Sequence, residues 1–443
     1  MQEIKITKTI KLPIGKELRI ITDENFLFRI ESGLCEWNGC ELSKNTEYPV
    51  KPETWLVLFA IEESTITIEN PKKYYISERS TIEEYYEKHT FLDLHRQNLE
   101  EDETAPVILI TGPQASGKTT FALHLLNYAT QTGYTPIYVD LSMTNNSITL
   151  PGCVACTVVS SPINPTNMFD DNMNHPLIYC CGSMKYDEKK ALFSKYIQYL
   201  SEYCNEKIER DEDKEKILKK SGIVVKCPFY SMEVIKDCVS RFNVKMIYVM
   251  DSEELYNDIH NEFPEMGVSL MSKPYGLPLC LDYNNQLRKR QNQSIVSYLE
   301  GNNINQGLCP NRIPIDGREI KIITIDSLGE NTHNLSFGET EFKNRIFIKE
   351  VELNYELHSK GNVFAVLNMD TLNGNLLKKD FNVVGFVIGK ENEEFDKKKR
   401  ENNLENLVET ASRVFINFYL PNPNDKVPGK VFMEIGMELD QDN

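Results

Sequence analysis

The chain has 443 residues, of which 40% are hydrophobic and 26% charged, and carries a formal net charge of −17. This length suggests roughly two to four domains of ordinary globular composition. So much negative charge argues against non-specific coating of nucleic acid, because repulsion from phosphates would dominate, although a local basic groove is compatible with it.

The first fifteen residues, MQEIKITKTIKLPIG, hold no apolar stretch of the secretory-signal kind. The chain also has no apolar run of about 18 residues, so neither export nor a membrane span is expected. Residues 1–75 read as all-β. ELRIITDENFLFRIESGLCEWNGCEL, from Glu17 to Leu42, alternates apolar and polar positions between turn signals at Thr22–Asn25 and Asn38-Gly39, and WLVLFAIEESTITIEN continues the pattern. Several short strands at this spacing predict a small sandwich, and residues 1–95 are read as the first domain. A charged stretch over residues 80–103 reads as a helical linker.

Residues 104–305 read as a second, α/β domain. Val107–Ile110 is a short apolar run suited to a buried parallel strand. It leads into Gly112–Thr119, G-P-Q-A-S-G-K-T, a phosphate-binding loop without mismatch. A helical pattern then runs through Phe121, Leu125 and Leu126. In such a strand–loop–helix unit, backbone N–H groups of Gly112, Gln114, Ala115, Ser116, Gly117, Lys118, Thr119 and Thr120 point at phosphate oxygens. Lys118 supplies charge to the β- and γ-phosphates, and the Thr119 hydroxyl is placed for Mg²⁺. Further strands are expected at TPIYVDLSM, HPLIYCC, SGIVVKCP, VKMIYVMD and GVSLMSKP. A helix is expected at DEKKALFSKYIQYLSEYCNEKI, with Leu192, Phe193, Tyr196, Ile197 and Leu200 on one face. Strands alternating with helices imply a mostly parallel sheet, with ligands at the carboxyl ends of the strands.

Residues 308–443 return to β patterning and form a third domain. Strands are expected at EIKIITIDS, RIFIKEVELNY, NVFAVLNM, NVVGFVIGK, RVFINFYLP and GKVFMEIGMEL. Residues 391–412 are charged and read as a solvated loop or hairpin extension. The DKKKR within them is either an exposed run or a nuclear-localisation patch. The 11 cysteines are scattered, with no second pair at zinc spacing beside Cys153…Cys156 or Cys180-Cys181, and the 7 histidines do not cluster. Buried thiols in a reducing compartment are the expectation.

The order of these features resembles the eukaryotic polynucleotide 5′-hydroxyl kinase family of pre-mRNA cleavage factors, the Clp subunit type. The pieces that carry the likeness are the β-domain before the phosphate loop, SITLPGC after the second core strand, SGIVVKCP, VMDSEELYNDI, SIVSYLEG, VVGFVIG and the late LPNPNDKVPGKVFM. The resemblance implies a multidomain α/β-with-β fold: an N-terminal β-sandwich, a central kinase-like P-loop domain and a β-rich α+β C-terminal domain. It implies ATP and Mg²⁺ as cofactors, with ATP between the first two domains and Glu17 beside the adenine. A second adenine contact, usually lysine, would fall near residue 55, where this chain has Trp55.

Three elements depart from the active members of that family. Counting back from Pro151 places Ser142 at the position of the catalytic aspartate, with Asp140 two residues earlier. A serine is no anionic base at neutral pH. Lys226-Cys227-Pro228-Phe229-Tyr230 stands where a Thr-Gly-Trp-like clasp is usual, and Phe229 or Tyr230 would offer an aromatic face to a base. Of the lid arginines only Arg288 is matched, the other positions falling on Gln291, Ser294 and Val296.

Two functions follow from the resemblance. The first is an ATP-bound subunit of the nuclear pre-mRNA 3′-end cleavage and polyadenylation machinery, with the nucleotide held as a structural clamp and weak or no kinase activity. It would bind protein subunits of the cleavage factor, including one that binds the RNA polymerase II tail, and would meet RNA indirectly or through a local basic groove. The second is an active polynucleotide 5′-hydroxyl kinase, serving RNA or DNA ends and tRNA splicing, with Asp140 as base and Lys118 and Arg288 as charge clamps.

Overall fold

The computed structural model describes residues 7–21, 25–50, 55–69, 73–100, 103–166, 173–211, 217–274, 283–300, 311–316, 321–327, 346–351, 360–369, 377–379, 381–390, 415–420 and 431–438. They fall into two compact units. The first comprises residues 1–141, 156–176 and 201–290. The second comprises residues 142–155, 177–200 and 291–443.

The first unit begins with nine strands: β1 (Thr7–Leu12), β2 (Glu17–Ile21), β3 (Phe26–Ser32), β4 (Cys35–Trp37), β5 (Cys40–Glu41), β6 (Glu47–Val50), β7 (Trp55–Ala60), β8 (Ser64–Glu69) and β9 (Lys73–Ser77). They form two sheets, ordered β1-β8-β3-β6 and β5-β4-β7-β2-β9. Burial alternates residue by residue along β3 and β8, as a strand with one face inward requires. Leu12, Leu18, Ile20, Phe28, Leu58 and Ile66 share one core cluster. Within it the Phe28 ring stacks on Tyr48 at 5.2 Å and meets Trp37 edge-on at 6.1 Å. The sandwich expected from alternation is the fold found.

The charged stretch that follows is helix α1 (Ile82–Gln97), and it is packed rather than a bare connection. Tyr85, His89, Leu92 and Arg96 recur at helical spacing and are all buried. The Tyr85 ring lies 4.8 Å from Phe121, and Arg96 Nε donates to the Ser221 carbonyl at 3.1 Å.

Next come β10 (Val107–Thr111), α2 (Lys118–Gln131), β11 (Ile137–Asp140), β12 (Cys153–Val159), β13 (Met173–Cys180), α3 (Lys190–Glu209), α4 (Ile217–Ser221), β14 (Ile223–Lys226), α5 (Met232–Phe242), β15 (Met246–Met250), α6 (Glu253–Glu262), β16 (Gly267–Met271) and α7 (Tyr283–Glu300). The strands make one sheet in the order β13-β12-β11-β14-β10-β15-β16. The run β11-β14-β10-β15-β16 is parallel throughout. β10, β11, β12, β14 and β15 are buried almost end to end, which explains their unbroken apolar runs. The expected strands are present. The sequence reading passed over β12, whose CVACTVV has neither alternation nor aromatic residues, and treated it only as a cysteine pair. Leu192, Phe193, Tyr196, Ile197 and Leu200 of α3 are buried as predicted.

The C-terminal strands are β17 (Asn311–Asp316), β18 (Lys321–Ser327), β19 (Ile346–Val351), β20 (Lys360–Leu367), β21 (Val383–Lys390), β22 (Phe415–Leu420) and β23 (Val431–Glu438). They form one sheet, β17-β22-β21-β20-β23-β18-β19, in which β18 and β23 run parallel. All six strands expected there are found, and β17 is additional. The charged segment 391–412 lies outside the described residues. The described cysteines are free thiols, all buried except the half-exposed Cys40.

Candidate nucleotide site

β10 ends at Thr111 and the loop turns through Gly112 and a positive-φ Ala115 to Gly117, which caps α2. Gly117 has φ 92°, and a Cβ there would lie 2.2 Å from the Pro274 ring. Only glycine satisfies both conditions. With no side chain to cap the helix, the first N–H groups of α2 have no partner within it and face the loop. That is the standard donor set for an anion.

Lys118 opens α2 and is buried. Its Nζ donates to the carbonyl of Gly112 at 3.0 Å, to the carbonyl of Pro113 and to Ser116 Oγ at 3.3 Å. Burial, with the charge of Lys226 adding to it, pushes its pKa down to about 7. A buried ammonium near neutrality, beside unpartnered helix N–H groups, fits a polyphosphate. Gln114 and Ala115 are exposed at the tip of the loop, Ser116 is buried, and Thr119 and Thr120 are half-buried.

The metal-binding half of the site is different. Asp140, the last residue of β11, is in register with Lys226, the last residue of β14. Register partners on neighbouring parallel strands project to the same face. Lys226 Nζ lies 2.6 Å from Asp140 Oδ2 and 3.0 Å from Thr119 Oγ1, with Asp140 and Lys226 0% and 1% exposed. The two oxygens that would hold Mg²⁺ thus both face an ammonium. The residues present fit a nucleotide and do not fit a metal ion.

Ser142, in the second unit, accepts from the backbone N–H of Asn145 at 3.2 Å. Asn146 organises the same turn: its Oδ1 accepts from the N–H groups of Ile148 and Thr149, and its amide donates to the carbonyls of Ser142 and Cys153. Gln291 and Ser294, two of the lid positions, are buried. Gln291 donates to the Thr144 carbonyl at 2.8 Å, and Ser294 donates to the Gln291 carbonyl at 2.7 Å. Arg288 is exposed on α7. Phe229 is exposed, its N–H bonded to the Gly112 carbonyl at 3.1 Å. The Tyr230 hydroxyl reaches the Leu141 carbonyl at 3.5 Å.

Glu17 on β2 is buried, and its Oε2 accepts from Arg19 Nε at 2.8 Å. Arg19 also donates to the Arg79 carbonyl at 2.6 Å. The β7 backbone pairs with β2, so Trp55 is in register with Ile21. Near Glu17 is a second buried carboxylate, Glu36, whose Oε1 accepts from the Tyr128 hydroxyl at 2.7 Å. Burial raises its pKa to about 7, against the lowering effect of that bond and with help from Glu41 and Glu17.

Tyr128 belongs to α2, so this bond joins the sandwich to the helix of the phosphate loop. Asn127 donates to the Asn38 carbonyl at 2.9 Å, and Gln131 to the Gly39 carbonyl at 3.0 Å. Gly39 has φ 76°, and a Cβ on it would approach His124 Cα to 2.9 Å. The Asn38-Gly39 turn, visible in the sequence as a hairpin signal, is therefore also a docking tip. Sequence reasoning did not single out Glu36 or Asn127, and it read Lys226 only as part of an altered clasp.

Comparison with known proteins agrees with this architecture. Residues 112–301 match the model of the mRNA cleavage and polyadenylation factor CLP1 P-loop, and residues 11–99 match that of the N-terminal beta-sandwich domain of polyadenylation factor. A Protein CLP1 homolog from Nematostella vectensis is 24% identical over 388 residues, spanning 85% of this chain and 88% of its own length. One from Drosophila mojavensis is 28% identical over 307 residues, spanning 65% and 70%. The solved structure of the wild-type Clp1p–Pcf11p complex contains a chain similar in fold, with a TM-score of 0.79 at 20% identity and 98% coverage of both chains.

Proposed function

The chain belongs to the CLP1 family of mRNA cleavage and polyadenylation factors, and we propose that within it the protein holds ATP as a structural clamp rather than spending it. Its place is the mRNA cleavage and polyadenylation machinery named in the matching family model, which acts on pre-mRNA 3′ ends and sets the protein in the nucleus. The working domains are residues 1–95, 104–305 and 308–443. The loop from Gly112 to Thr120 and the Lys118 ammonium hold the phosphates, and Glu17 lies on the side proposed for the adenine.

The observation that carries this reading is the ion pair of Asp140 with Lys226. Transfer to a 5′-hydroxyl needs a carboxylate that can accept the hydroxyl proton. Asp140 is buried and paired with Lys226, and Ser142 is engaged in a turn. A ligand that binds only the folded, docked arrangement stabilises it, by about 4 kcal/mol when its concentration is a thousandfold above Kd. Solved structures of Clp1p contain Pcf11p. By analogy we propose a protein partner of the cleavage-factor kind, one that also binds the RNA polymerase II tail, with RNA reached through the assembly.

The test is a kinase assay on 5′-hydroxyl RNA with ³²P-ATP, paired with identification of the nucleotide released when the purified protein is denatured. Co-purified ATP without transfer is the expected result. Transfer that disappears in Lys118→Ala would overturn the clamp and restore the kinase reading.

A further inference from the structure

We propose that the Lys226 ammonium stands in for the divalent cation of the phosphate-binding loop, so that this chain binds a nucleoside triphosphate without a metal ion. The inference rests on the nucleotide-holding reading given above.

Phosphate loops ordinarily hold Mg²⁺ between the loop Ser/Thr hydroxyl and an acidic side chain at the end of a neighbouring core strand. Here these are Thr119 Oγ1 and Asp140 Oδ2, and Lys226 Nζ is 3.0 Å from one and 2.6 Å from the other. Mg²⁺ needs oxygen ligands at about 2.0–2.1 Å in an octahedral shell. An ammonium ion does the reverse, directing N–H donors at the same oxygens. A divalent ion placed on them would sit beside a fixed positive charge in a poorly screened interior, where like charges repel strongly.

The lysine is built in. It ends β14, in register with Ile110 of β10 on one side and Asp140 of β11 on the other. Its side chain is buried, and the Asp140 carboxylate offsets the cost of burying its charge. With Lys118 nearby, the three charged groups leave net positive charge facing the loop, suited to a polyphosphate. A tethered amine stays in place, whereas a bound metal exchanges with solvent and can be chelated.

The experiment is calorimetric titration of ATP into the full chain, in Mg²⁺ and again in EDTA. Affinities within about threefold of each other are expected, and a loss of more than about tenfold on chelation would overturn the inference. Lys226→Thr, which removes the ammonium, should gain at least about tenfold in affinity from Mg²⁺. Should that variant fail to fold, the wild type still decides through electron paramagnetic resonance with Mn²⁺. Mn²⁺ added to the protein–ATP complex freed of excess nucleotide should give no signal of Mn²⁺ held by the protein, and a protein-bound Mn²⁺ signal would overturn the inference. A folded wild-type protein that binds ATP in neither buffer would remove the nucleotide-holding reading itself, whereas metal-dependent binding removes only the role given to Lys226.

Discussion

Lys226 and Asp140 end adjacent strands of the central sheet and form an ion pair of 2.6 Å out of contact with solvent. Removing one member of such a pair strands the other as a buried charge, which typically costs about 3–5 kcal/mol. Lys226→Met and Asp140→Asn should each destabilise the protein in urea unfolding, Lys226→Met by about that amount. The double variant should be markedly less destabilised than the sum of the two. Additive losses would show that the pair is not coupled.

Lys118 carries a pKa of about 7 in the folded chain against an ordinary 10.5, chiefly because it is buried. Below pH 7 it is charged in folded and unfolded states alike, and the burial penalty is present in full. Between pH 7 and 10.5 the unfolded chain holds the extra proton, so this group's contribution to stability improves as pH rises. Phosphates restore the charge, so at pH 8 ATP binding should take up as much as about one proton. Calorimetry in buffers of different ionisation enthalpy measures this, and Lys118→Met should abolish the uptake.

Glu36 is displaced in the other direction for a carboxylate, up to about 7. The folded state holds its proton over roughly pH 4.5 to 7 while the unfolded state does not, so stability from this group falls across that window and stays low above it. Glu36→Gln, which keeps an acceptor for the Tyr128 hydroxyl, should raise stability at pH 8 by about 1–2 kcal/mol and change little near pH 4.5. Melting temperatures at the two pH values give the comparison.

Asn127 is buried, donates to the Asn38 carbonyl and accepts from the Ile163 N–H at 2.7 Å. Asn127→Ala would leave both backbone groups without this partner, at about 1–3 kcal/mol. The loss should appear as faster proteolysis at the Asn38-Gly39 turn, with saturating ATP slowing the cleavage.

Much of the fold could be read from the sequence because its signals are local. Alternation revealed the sandwich, glycine spacing revealed the phosphate loop, and apolar runs revealed most core strands. β12 was missed because its small residues, Cys153, Ala155, Cys156 and Thr157, dilute the apolar run that marks the other core strands. The site was legible only in its contiguous half. Lys118 and Thr119 are fixed by a loop motif, whereas Lys226 meets Thr119 from 107 residues away through parallel strand pairing, which no local pattern specifies. A signal did exist: a lysine closing the otherwise apolar run Ile223–Val225 invites the question of what balances its charge. Likewise, α1 looked like a charged connection because its buried face includes His89 and Arg96, which composition counts as polar.

Helix α2 has 14 residues and so measures about 21 Å. Its first turn faces the phosphate loop, and Asn127, Tyr128 and Gln131 in its final turns grip the tip of the sandwich hairpin. The helix is therefore a strut with a joint at each end. Fixing one joint shortens the free length over which the strut can rock, and the amplitude at the other joint falls with it. Nucleotide at one end should thus be felt as slower amide exchange at the far end, in a hairpin that never touches a phosphate.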